Sequence, residues 1–102
     1  MTLEELIDML EKDKKIHEDY VSEQREKLVT LSSISRCIRT VINYLSSFPY
    51  SHYTEKSQLL NLYTEIDAQH EQMLANISKR ESEIRKIELE IIKLRVNYLE
   101  RM

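Results

Sequence analysis

The chain has no glycine and no tryptophan, and only one proline, one cysteine and one phenylalanine in 102 residues. Each shortage excludes something. Without glycine there is no inexpensive residue for left-handed backbone, no glycine-rich loop to cradle a phosphate, and no tight turn to present a nucleophilic serine. The single cysteine, Cys37, cannot close a disulfide within the chain, so a reducing compartment suits it, as a small residue on a helix flank. No apolar run is long enough to span a bilayer, and the acidic, amphipathic start is unlike a secretory signal. A cytoplasmic location is expected.

Charge of one sign is also missing. The net charge is −3, with nine acidic and five basic side chains over residues 1–27 and eight and seven over residues 64–102. Nucleic acid calls for a basic stripe, and Arg36 with Arg39 do not make one. The interspersed charges fit the solvated faces of long helices, with pairs such as Glu81 and Arg85 four residues apart. His17, His52 and His70 are too scattered for a metal site. The many carboxylates fall on polar faces, where nothing would tune them for proton transfer. We therefore expect no catalytic residue, no metal, no cofactor, and a protein that is not an enzyme.

What is present is a pair of seven-residue repeats. In the second half, Leu59, Tyr63, Ile66, His70, Met73, Ile77, Arg80, Ile84, Ile87, Ile91, Leu94, Tyr98 and Arg101 alternate in steps of three and four, the signature of a coiled-coil stripe. The first half reads through Leu3, Leu6, Leu10, Asp13, His17, Tyr20, Gln24, Lys27, Leu31, Ile34, Ile38, Val41, Leu45 and Phe48. Pro49 lies between the repeats. It has no N–H and disfavours helix at the residue before it, so the first helix should end near Ser47. Thr2 and Glu5 fit a capping box at one start, and Ser51 or Thr54 can cap the other.

The expected fold is all-α, an antiparallel two-helix coiled-coil hairpin. Helix 1 should span about 3–47, a turn about 48–53, and helix 2 about 54–101. Pairing the stripes gives residue numbers that sum to about 104, so Leu45 meets Leu59, Ile38 meets Ile66 and Leu10 meets Leu94. Gln24 then faces Arg80, His17 faces Ile87, His70 faces Ile34, and Asp13 meets Ile91 uncomfortably. A frayed or wet stretch is expected over residues 13–27. A hairpin of this kind buries one stripe per helix and is a thin fold by itself, which favours a partner or self-association.

Surplus apolar residues mark two places. After the core stripe, Leu89, Ile92, Val96 and Leu99 make a second stripe nearly opposite the first, and a helix apolar on two faces packs on two sides. The N-terminal segment echoes this, with Ile7 and Met9 beside the core residues Leu6 and Leu10. The second place is the turn, where Tyr44, Phe48, Tyr50, Tyr53 and Tyr63 cluster around Pro49. Tyr44, Phe48 and Tyr63 are expected to close the end of the hairpin. Tyr50 and Tyr53, in the turn itself, are candidate partner contacts together with Leu89, Ile92, Val96 and Leu99.

The run Gln58-Leu59-Leu60-Asn61-Leu62-Tyr63-Thr64, followed by Ile77-Ser78-Lys79-Arg80-Glu81-Ser82-Glu83-Ile84 and a charged heptad tail, resembles the second helix of the FliJ/YscO family. Those proteins are central stalks of bacterial type III secretion and flagellar export. The resemblance implies a non-catalytic hairpin engaging a hexameric export ATPase ring and linking it to the export gate. It carries over no residue roles. Two other readings stay open: a small helical secretion chaperone holding an export subunit or effector, and a coiled-coil subunit of a eukaryotic scaffold complex such as a tether or kinetochore assembly.

Overall fold

The computed structural model describes residues 1–48 and 50–101, and Pro49 itself lies outside them. Helix α1 runs Leu3–Leu45 and helix α2 runs Tyr53–Glu100, 43 and 48 residues, with no strand among the described residues. The fold is the all-α antiparallel helical hairpin that the repeats imply. At the start of α1, Glu5 N–H donates to Thr2 Oγ1 at 3.1 Å, as the capping pattern requires.

The turn differs from the expectation. α1 closes with tight bonds from Ser47 N–H to the Tyr44 carbonyl (3.1 Å) and from Phe48 N–H to the Leu45 carbonyl (3.0 Å). In the turn the Phe48 carbonyl accepts from Ser51 N–H at 3.2 Å and from Lys56 Nζ at 3.1 Å, so a lysine of α2 ties that helix to the turn. Neither Ser51 nor Thr54 occupies the cap of α2. That position is His52, whose carbonyl accepts from Lys56 N–H at 2.9 Å. His52 has φ 62°, the left-handed region that a chain without glycine must fill with another residue. Its ring meets Phe48 edge-on at 5.7 Å between centroids, which helps to offset the backbone strain. We expect His52→Val to cost about 1–2 kcal/mol in urea unfolding, because a β-branched side chain clashes at positive φ. His52→Gly should be tolerated.

The chain divides into two compact units, Met1–Gln24 with Asn76–Met102, and Arg25–Ala75. The second unit holds the turn. Its buried residues are Ile38 and Ile66, with Leu28, Leu31, Ser35, Ile42 and Leu45 of α1 half-buried beside Leu59, Tyr63, His70 and Met73 of α2. The first unit buries Val21, Ile77, Ile87 and Ile91, with Leu3, Ile7, Leu10, Lys14, His17 and Gln24 half-buried on α1.

The α2 stripe follows the predicted spacing from Leu59 to Leu94, whereas Tyr98 and Arg101 are exposed. The α1 stripe keeps Leu3, Leu6, Leu10, His17, Tyr20, Gln24, Leu31, Ile38 and Leu45, but four of its alternate members shift one residue later. Lys14, Leu28, Ser35 and Ile42 replace Asp13, Lys27, Ile34 and Val41, all four of which are exposed. Phe48 is also exposed. The reason is the cost of desolvating charge. Turning α1 this way brings Val21 and Leu28 inward and leaves Asp13 and Lys27 in water. Lys14 tolerates the seam because its long stem packs there while Nζ reaches Glu11 at 3.4 Å, which a short aspartate cannot do. The expected conflict between Asp13 and Ile91 disappears, and α1 stays helical through residues 13–27 rather than fraying.

Candidate interaction surfaces

The most specific polar contact in the seam belongs to the first unit. Arg80 Nη1 lies 3.0 Å from His17 Nδ1, and its guanidinium carbon sits 4.3 Å from the centroid of the Tyr20 ring. A guanidinium has no acceptor, so Nδ1 accepts, and the proton of a neutral imidazole is then on Nε2, facing Asp13 Oδ1 at 3.9 Å. The amide of Gln24 was the expected partner of Arg80, and Ile87 the expected neighbour of His17. Arg80 instead reaches along α1 to the ring pair. In the second unit Arg39 Nη2 donates to Tyr63 Oη at 2.9 Å. The pairs His17 with Arg80 and Arg39 with Tyr63 have numbers that sum to 97 and 102, below the 104 of the expected register. His70 borders an open recess of about 290 Å³ with Leu31, Ser35, Arg39 and Tyr63, while Ile34 has turned to solvent.

The second stripe of α2 is where the sequence reading put surplus apolar surface. Leu89, Ile92, Val96 and Leu99 are 51, 57, 45 and 67% exposed, too much for side chains that serve the hairpin core. Leu99 also borders an open groove of about 540 Å³ with Leu3, Ile7 and Tyr98 in the same unit. Met9 is exposed and Ile7 half-buried.

At the turn, Tyr50 and Tyr53 are 91 and 64% exposed. Tyr53 carries Lys56 Nζ 5.7 Å from its ring centroid. Tyr63 is half-buried, but Tyr44 and Phe48 do not close the end of the hairpin. Their rings meet edge-on at 5.6 Å and both stay exposed.

A further exposed apolar stripe lies on α1. Ile34, Cys37, Val41, Tyr44 and Phe48 step by three and four along α1 and are all exposed. Three of them had been placed in the seam. The signal that could have found them is the competing stripe through Leu28, Ser35 and Ile42, which avoids both Asp13 and Lys27. Among the described residues no group of three histidine, cysteine or acidic side chains could hold a metal ion, and no helix is long and apolar enough to cross a membrane.

Residues 61–102 match a family described as nucleopolyhedrovirus protein of unknown function (DUF919). No curated protein and no solved structure matches the chain. The matched segment contains the α2 core from Ile66 to Leu94 and the whole of its second apolar stripe.

Proposed function

We propose that the chain is a non-catalytic assembly protein, a coiled-coil adaptor that buries one helix face in its own hairpin and offers others to protein partners. The observation that carries this reading is the exposure of Leu89, Ile92, Val96 and Leu99 at helical spacing, on a fold whose own seam buries only six apolar residues among those described. Tyr50 and Tyr53 add contact area at the turn, where tyrosine supplies an apolar body with a polar tip at low entropic cost.

The test is site-specific photo-crosslinking in the cell. A photoreactive residue at Tyr50 or Tyr53 should give a discrete adduct with a defined protein, whereas one at Lys12 or Glu18, on the polar face of α1, should give none. Equal labelling from both faces, or none from the turn, would count against an adaptor. The description of the matching family suggests running the experiment in nucleopolyhedrovirus-infected cells. A stalk engaging a hexameric export ATPase and its export gate is a narrower proposal, supported by the likeness of residues 58–64 and 77–84 to the export stalk proteins. Its readout is stimulation of that ATPase's turnover. The identity of the adduct would separate both from a chaperone holding an export subunit and from a scaffold subunit.

A further inference from the structure

We infer that the second apolar stripe of α2 receives a second copy of this chain, with the two α2 helices parallel and in register. The inference rests on the adaptor reading only in taking the stripe to be an interface. What selects the occupant is charge. When the exposed stripe is read as its own heptad, Leu89 and Val96 take the a positions and Ile92 and Leu99 the d positions. The flanking g positions are then Glu88 and Arg95, and the e positions Lys93 and Glu100, all four of them exposed.

In a parallel pair each g residue faces the e residue of the next heptad on the other helix. Glu88 therefore meets Lys93 of the other copy, Arg95 meets Glu100, and the two-fold axis repeats both pairs. Every flanking contact joins opposite charges. An antiparallel pair brings e to e and g to g. Matching Leu89 with Leu99 and Ile92 with Val96 then puts Lys93 near Lys93 and Arg95 near Arg95. Sliding by one heptad pairs Glu88 with Arg95 but sets Lys86 against Lys93. Sliding the other way, with Val96 opposite Leu99, pairs Lys93 with Glu100 but leaves Leu89 and Ile92 uncovered. Only the parallel arrangement covers all four apolar residues with no like-charge pair at the rim. Arg85 occupies the next d position toward the N-terminus, where two guanidinium groups would meet across the axis, so the seam begins at Leu89. Four apolar residues per copy fit a reversible, concentration-dependent dimer and leave the turn free for a different protein.

Sedimentation equilibrium of the purified full chain, from micromolar to millimolar, tests this. The expected result is a monomer–dimer equilibrium. Ile92→Glu should abolish it with helicity by circular dichroism unchanged, since Ile92 lies outside the hairpin core. Glu88→Lys should weaken the dimer roughly tenfold by making both symmetric pairs repulsive. Glu88→Lys combined with Lys93→Glu should restore it, because the swap recreates opposite charges only between positions 88 and 93 of facing copies. A wild-type monomer throughout, a dimer indifferent to Ile92→Glu, or a failure of the double swap to restore association would each overturn the inference. A wild-type monomer that still crosslinks a partner through Tyr50 would leave the adaptor reading standing.

Discussion

Ile77→Ala will lower the stability of the chain by about 2–4 kcal/mol, which in thermal unfolding of a chain this size is a fall in Tm of roughly 10–20 °C. Ile77 is 5% exposed, the most buried of the described residues, and shares its unit with Val21, Ile87 and Ile91. Truncation to alanine removes three carbons from a seam with no second layer behind it to relax into the gap. The loss falls on a fold with little in reserve. No described side chain is less than 2% exposed, so no residue gains the full benefit of burial. Ile92→Ala deletes the same atoms from a residue that is 57% exposed, and in dilute solution it should change stability by less than about 0.5 kcal/mol. Urea unfolding of the two variants side by side checks the contrast. Equal losses would mean that Ile92 belongs to the core.

Arg80→Ala is the second large effect, at about 2 kcal/mol, because it removes a charged hydrogen bond to His17 and the cation held over Tyr20 at once. Much of that cost lies in what remains, a half-buried imidazole nitrogen with no donor. Replacing both partners, His17→Leu with Arg80→Met, should therefore cost less than Arg80→Ala alone, since packed apolar side chains substitute well for a polar pair when neither partner is stranded. A double-mutant cycle by chemical denaturation measures the coupling. Simple additivity would show that the two residues do not act as a unit. A specific polar contact at one level of the seam also penalises sliding of one helix past the other, so the double variant should lose uniqueness of register before it loses helicity.

Fold class was legible because it depends on long-range pattern. Periodicity over six heptads of α2 leaves little choice of face, and its stripe from Leu59 to Leu94 lies where the spacing put it. The face of α1 was harder to read. Two stripes share Leu3, Leu10, His17, Gln24, Leu31, Ile38 and Leu45, and at the alternate positions they differ by a single residue, with Leu6 and Tyr20 staying half-buried beside Ile7 and Val21. Counting large apolar side chains favours the wrong one. The choice turns on Asp13 and Lys27, whose desolvation outweighs the gain from burying Ile34, Val41 and Phe48. The cap of α2 was missed for a related reason. Propensity favours Ser51 or Thr54, but the geometry of a short turn without glycine puts His52 there at positive φ. Of the candidate contact residues, Leu89, Ile92, Val96 and Leu99 were visible as a second period on an already periodic helix. The stripe from Ile34 to Phe48 became visible only after α1 had been turned.

Hydroxyl-radical footprinting of the dilute chain tests most directly the claim that each helix buries one face and presents another. Leu28, Ile42, Ile77 and Ile87 should be protected, and Ile34, Val41, Ile92 and Leu99 should be labelled. Protection of Ile34 and Val41 with labelling of Leu28 and Ile42 would contradict it, because α1 would then face its partner through the stripe that carries Asp13 and Lys27.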